Sequence, residues 1–117
     1  MAEAPAYIYA DIHGIKRILE NLIRNALVHG SGEYGFSLSK NGDAVEITIS
    51  NRTDSIEEAD MEHLFDRFYT TERSRTRKTT GLGLAIVKLF TEKMGGKAKV
   101  ELREGIFTIR VVFPVVQ

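Results

Sequence analysis

The chain has no cysteine among its 117 residues. That excludes disulfides, thiolate metal ligands and a thiol nucleophile, and it is compatible with a reducing compartment. No apolar run approaches the ~20 residues of a membrane-spanning helix, and no secretory signal pattern is visible. Net charge is missing too, since 16 Lys and Arg offset 16 Asp and Glu. Nothing of one sign is left over to drive binding to nucleic acid or membrane. What remains is 43% hydrophobic and 27% charged, the balance of an ordinary globular domain with one core. Met1-Ala2-Glu3-Ala4-Pro5 reads as a linker or cloning remnant. The expectation is therefore a single domain over residues 6–117 that belongs to something larger.

Charge is balanced overall but segregated locally. Asp54, Glu57, Glu58, Asp60, Glu62 and Asp66 make an acidic stretch, followed at once by Arg67, Arg73, Arg75, Arg77 and Lys78. The acidic part reads as a solvated face. The basic part abuts Gly81-Leu82-Gly83-Leu84-Ala85-Ile86-Val87, a glycine hinge opening an apolar helix. A helix start carries unpaired N–H groups and the positive end of the helix dipole, so it suits phosphate. Glycine lets the anion approach the backbone, and nearby arginines supply counter-charge. Simple capping or tight packing is the commoner meaning of such a motif on its own.

A second feature lies upstream. Ile15, Ile18, Leu19, Leu22, Ile23, Ala26 and Leu27 recur at helical spacing between Asp11, a fair N-cap, and His29-Gly30, a fair stop. Asn21 and Asn25 sit four apart on one flank of that helix. Asparagine is a poor helix former, so two on one flank ask for a reason. Either they cap a loop or bond to backbone across the core, or their amide oxygens coordinate a hard cation and so position phosphates.

The remaining pattern is one of hairpins. Tyr7-Ile8-Tyr9-Ala10 is a short strand candidate. Gly35 to Lys40 and Ala44 to Asn51 flank a turn at Asn41-Gly42-Asp43. Asp60 to Tyr69 reads as a short helical segment, and Leu84 to Met94 as a helix closed by Gly95-Gly96. Lys97 to Leu102 and Ile106 to Phe113 make a second hairpin around Arg103-Glu104-Gly105. Helices among hairpins imply an α+β two-layer sandwich, with helices on one face of a mixed, mainly antiparallel sheet.

Four segments in this order resemble the nucleotide-binding catalytic domain of sensor histidine kinases, a superfamily shared with gyrase, the heat-shock chaperones and the mismatch-repair ATPases. They are Asn21-Leu22-Ile23-Arg24-Asn25-Ala26, Ile49 to Ile56, Leu64-Phe65-Asp66-Arg67-Phe68-Tyr69, and Thr80 to Ile86; Met94-Gly95-Gly96-Lys97 also matches. The resemblance spans Asp11 to Pro114. It implies the Bergerat-type ATP-binding fold, with ATP and Mg²⁺ as ligands. By position, Asn25 would hold Mg²⁺ against the phosphates, with Asn21 its partner one turn earlier. His29 stands where an aromatic residue commonly stacks near the base. Asn51, Ser55 and Ile56 occupy the base-binding loop. Arg73 and Arg75 lie in the lid, Phe65 and Phe68 would anchor its start in the core, and Thr80, Gly81, Leu82, Gly83 and Leu84 would wrap the phosphates.

The same resemblance implies phosphoryl transfer to a histidine on a separate dimerisation domain, and through it to a response regulator, in a two-component phosphorelay. His13, His29 and His63 all fall inside the domain, so the chain alone is expected to be monomeric and not to phosphorylate itself. Members are usually membrane-anchored with this domain in the cytoplasm, and no nucleic acid is expected. In the hydrolytic branch a glutamate occupies the place of Asn21. A neutral amide cannot accept a proton, and Glu20 points about 100° away around the helix, which favours transfer over hydrolysis. Two alternatives stay open: a stand-alone ATPase using Glu20 or a nearby carboxylate, and a nucleotide-free docking module.

The docking alternative rests on departures from the pattern. Asn51, Thr53 and Ser55 stand where the family has an aspartate and two glycines, and Val28 stands where it often has a phosphate-contacting lysine. Thr53 and Ser55 tolerate positive φ poorly, so the loop must take another path or stay mobile. An amide at position 51 lacks the charge that makes a carboxylate hydrogen bond roughly twice as strong, and it can flip to donate to a guanine oxygen. Weaker discrimination for ATP over GTP is expected than in an Asn51→Asp variant. Competition titrations with the two nucleotides measure it, and equal selectivity in both proteins would overturn the expectation.

Overall fold

The computed structural model describes residues 7, 8, 10–69 and 82–115. The element order is α1 (Ile12–His29), β1 (Gly30–Asn41), β2 (Ala44–Thr53), a 3₁₀ helix (Glu58–His63), α2 (Gly83–Lys93), β3 (Lys97–Arg103) and β4 (Ile106–Pro114). The strands form one sheet in the order β1-β2-β4-β3, and all three pairings are antiparallel. Helices on one face of a mainly antiparallel sheet is the α+β sandwich expected from the hairpins. The described residues Tyr7, Ile8 and Ala10 are not in a strand. Ile8 packs on the core while Tyr7 is exposed, so hydrophobic contact rather than strand pairing holds this approach to α1.

The core lies between the helices and β4, the strand next to the β3 edge. Phe107, Ile109, Val111 and Phe113 alternate along β4, each no more than 1% exposed, which is the period-2 signature of a half-covered strand. Ile18 and Leu22 of α1 and Leu84 and Val87 of α2 close over them. The two helices run antiparallel. Near the start of α1, a Cβ on Gly14 would lie 3.2 Å from Met94 and 3.3 Å from Phe90, at the far end of α2; near its middle, Asn21 faces Gly83 at the start of α2. Asp11 caps α1 as expected, its Oδ1 accepting from His13 N at 3.2 Å.

The start of β1 differs from expectation, and the two later turns fall where expected. β1 begins at Gly30, directly from the helix, because a register shift at Gly32 and Glu33 absorbs the change of direction. Glu33 has φ 51° there, and its carboxylate meets the Arg52 guanidinium as a two-bond fork, 2.9 and 3.1 Å. That hydrogen-bonded guanidinium holds the Glu33 carboxyl below its usual range. Gly95 ends α2 with φ +79°, the left-handed cap that the Gly-Gly pair signalled. Glu104 and Gly105, both at positive φ, make the two-residue turn from β3 to β4.

The segment expected to be helical over Asp60 to Tyr69 is a 3₁₀ helix over Glu58–His63 followed by turns. Its polar side chains bond locally and compete with α-helical pairing. Glu57 and Asp60 form a reciprocal capping box, Tyr69 Oη donates to Asp60 Oδ1 at 2.5 Å, and His63 Nδ1 meets Asp66 Oδ2 at 3.0 Å. Phe68 has φ +66°, outside the helical region, and is 67% exposed. Of the two expected aromatic anchors, then, only Phe65 packs on the core, with the Lys88 ammonium 5.9 Å from its ring centre.

Two outcomes follow from this packing. Phe107→Ala should cost about 3–5 kcal/mol, read as a fall in the denaturant midpoint; a loss below about 1 kcal/mol would show that β4 does not carry the core. The hydrogen bond that His63 donates to Asp66, and then the charge of Glu62, raise the His63 pKa above its ordinary 6.5. A raised folded value means stability present below the ordinary pKa and lost as pH rises through the folded one. His63→Gln should therefore be less stable than the native protein near pH 5.5 and indistinguishable from it well above the folded pKa. An equal difference at both ends would rule the titration out.

Candidate functional site

Asn21, Asn25 and His29 occupy three successive turns along one flank of α1. The hydrophobic stripe Ile18, Leu22 and Ala26 pins the adjacent face against the core, so this polar flank is carried to the boundary between α1, α2 and the end of β2. The flank differs in how its members are satisfied. Asn21 Nδ2 donates to Arg17 O at 2.7 Å, which fixes its amide, and Asn21 Oδ1 lies 3.2 Å from where a Cβ on Gly83 would stand. Glycine at position 83 is what lets the start of α2 come this close. At the other end, His29 Nδ1 lies 2.8 Å from Ser55 Oγ. Between them, Asn25 Oδ1 is buried and has no hydrogen-bond partner among the described residues.

An orphaned amide oxygen in a native interior asks for an explanation. Thr91 Oγ1 is the other one described, but it lies in the last turns of α2, packed near Gly96. Asn25 Oδ1 lies instead on the flank that faces the start of α2. The N-cap position of that helix is Leu82, whose side chain offers no acceptor to the first N–H groups. A carbonyl oxygen beside a helix start is the donor set of a cation–phosphate pair. Among the described residues no group of three His, Cys, Asp or Glu could hold a metal by itself. The Asn25 amide oxygen could supply one ligand to a hard cation, whose remaining ligands would have to come from elsewhere.

The β2 end forms the other wall. Asn51 is 2% exposed and shares the core-facing side of the sheet with Phe107, its β4 neighbour. Its Nδ2 donates to Arg52 O at 3.1 Å. The flip that would offer its NH₂ to a guanine oxygen must give up this bond, a constraint the sequence alone did not reveal. Thr53 and Ser55 both avoid positive φ, so the loop does take a path open to non-glycine residues. Along it, Ser55 N donates to Thr53 Oγ1 at 3.1 Å, and the two hydroxyls lie 3.3 Å apart. Ile56 is buried in the core.

Of the residues singled out in sequence, α1, the β2 end and the α2 start thus bring Asn21, Asn25, His29, Asn51, Ser55, Leu82 and Gly83 to one region. Leu84 is 6% exposed and packs in the core, so only its backbone could face a ligand. Arg73, Arg75, Thr80 and Gly81 lie outside the described residues. Glu20 is exposed and approaches Lys16 at 3.9 Å, on the outer side of the helix and away from Asn25. Thr53 was noticed in sequence only as a lost glycine; its hydroxyl lies beside that of Ser55, which in turn meets His29. The signal that could have found it was the pairing of two hydroxyl residues with a histidine one helix away.

Residues 10–117 match the family model described as histidine kinase-, DNA gyrase B- and HSP90-like ATPase. The chain is 39% identical over 103 residues to the sensor histidine kinase YcbM of Bacillus subtilis, covering 85% of this chain and 33% of that protein. It is 30% identical over 114 residues to the sensor histidine kinase component HK1 of Mycobacterium tuberculosis, covering 97% of this chain and 68% of that one. Among solved structures, the mycobacterial sensor histidine kinase MprB superposes with a TM-score of 0.84 at 27% identity, over 95% of this chain and 78% of that chain. The nucleotide-free catalytic domain of the histidine kinase ThkA gives 0.78 at 29% identity, over 92% and 70%. The chain spans a third or less of YcbM and of two further sensor kinases, RppB and WalK. With the four segments in order, the fold and these likenesses in agreement, the chain belongs to the histidine kinase-, DNA gyrase B- and HSP90-like ATPase family, as a catalytic domain of the sensor histidine kinase type.

Proposed function

We propose that this domain binds Mg-ATP between the polar flank of α1, the β2–3₁₀ loop and the start of α2, and presents the γ-phosphate to a histidine on a separate dimerisation domain of a longer kinase. The observation that carries this reading is the buried Oδ1 of Asn25, without a partner among the described residues, one helical turn from Asn21, the residue that faces Gly83. Magnesium would supply charge neutralisation of the phosphates there. Asn25 would orient it through the amide oxygen, the backbone at Leu82, Gly83 and Leu84 would receive phosphate at the helix start, and Asn51 and His29 would meet the base. Arg73, Arg75, Thr80 and Gly81 would add contacts from the lid. Catalysis would then rest on position and electrostatics, as phosphoryl transfer generally does. With an amide at position 21 and Glu20 turned toward Lys16, no carboxylate on this flank is placed to activate water.

The phosphorylated partner domain would pass the group to a response regulator, and the whole kinase would be membrane-anchored with this domain in the cytoplasm. No helix among the described residues is long and apolar enough to cross a membrane. Calorimetric titration with Mg-ADP and a non-hydrolysable ATP analogue tests the reading. Saturable binding is expected, dependent on Mg²⁺, and weakened about tenfold or more by Asn25→Ala, the scale of one charge-assisted contact. A folded native domain that binds neither nucleotide would overturn it and leave a docking module.

A further inference from the structure

Thr53, Ser55 and His29 are 8%, 3% and 9% exposed, and the chemistry above makes no use of the hydrogen bonds among them. The bonds form a line: Ser55 N–H to Thr53 Oγ1, Thr53 hydroxyl beside Ser55 hydroxyl, Ser55 hydroxyl beside His29 Nδ1. Each hydroxyl has one proton to give, and buried donors are used. One direction uses both protons inside the line: Thr53 O–H donates to Ser55 Oγ, and Ser55 O–H donates to His29 Nδ1. In the opposite direction Nδ1–H would donate to Ser55 and Ser55 to Thr53. Thr53 Oγ1 would then accept twice, and its own proton would have no acceptor within the line. The first arrangement also aligns the bonds head to tail, which strengthens each of them.

We propose that Thr53 and Ser55 are positioning residues that hold His29 in the tautomer protonated on Nε2, and thereby decide that its other ring edge is a donor. The ligand part of this inference rests on the nucleotide reading; the tautomer does not. Under that reading His29 would offer N–H to an acceptor on the nucleoside, a ring nitrogen or a sugar oxygen, and Ser55 would act through His29 without touching the ligand. Two hydroxyl residues on a non-glycine loop would then be a device that fixes an aromatic-position histidine chemically as well as sterically.

Nitrogen–proton correlation spectra of the imidazole rings in the nucleotide-free 117-residue chain test the tautomer, with His29→Phe identifying the signals. A protonated Nε2 and bare Nδ1 are expected in the native protein, and Ser55→Ala and Thr53→Val should each shift the ring toward a mixture. A protonated Nδ1, or signals unmoved by Ser55→Ala and Thr53→Val alike, would overturn the proposal. Mg-ADP titrations supply the second readout. Ser55→Ala should weaken binding about fivefold, the scale of one buried hydrogen bond, but less than about twofold in the His29→Phe background. Equal losses in both backgrounds would mean that Ser55 acts on the ligand or the fold directly, and the positioning role would fall. A native protein that binds no Mg-ADP while showing the expected tautomer would overturn the nucleotide reading and leave the tautomer assignment intact.

Discussion

Everything at the site depends on the antiparallel contact of α1 with α2 across the buried side of β4. Close packing at Gly14 against Phe90 and Met94 draws the two helices together at one end, and Gly83 lets Asn21 reach the second helix at the other. Because α1 is held by Ile18 and Leu22, its rotation is fixed by hydrophobic burial, a term much larger than any single polar contact on its flank. The orientation of Asn21, Asn25 and His29 is therefore set by residues with no part in the chemistry.

Once the rotation is fixed, the polar flank sorts itself by what each residue meets. Asn21 donates through Nδ2 to Arg17 O, which turns its Oδ1 toward the backbone of Gly83. His29 is tied to the β2–3₁₀ loop. Asn25, between them, buries an acceptor that no described donor satisfies. A buried orphan costs stability, and such a cost persists where a ligand repays it. Asn51, by contrast, is bonded: its amide donates to the carbonyl of its own neighbour; that carbonyl also accepts from Ser31, and the Arg52 side chain is forked to Glu33.

Local physics made most of the elements legible. Periodicity marked α1 and both hairpins, Asp11 marked the helix start, and Gly95 its partner's end, since each follows from backbone geometry or a repeat of side chains. The 3₁₀ segment was misread as a longer helix because its apolar residues Leu64, Phe65 and Phe68 mimic helical spacing. A capping box and the Tyr69–Asp60 and His63–Asp66 bonds outweigh that spacing over so short a stretch. The described residues Tyr7, Ile8 and Ala10 depart from the expected strand for a related reason: β-propensity describes a fit to a sheet surface, and whether an edge is there to receive it is not a property of the segment.

The sequence by itself determined which residues could carry the chemistry: two amides a turn apart, a glycine-opened helix, an acceptor at position 51 in place of an acid. Residue type and spacing along one element suffice for that, because they depend only on local geometry. Tertiary structure alone decided how those residues are satisfied. It gave Asn25 Oδ1 no partner, tied the Asn51 amide to Arg52 O, and turned two apparent losses of glycine into a hydroxyl line ending on His29. Hydrogen-bond partnership across 26 residues of chain, as between His29 and Ser55, is fixed by how helix and sheet pack, and no pattern within either segment records it.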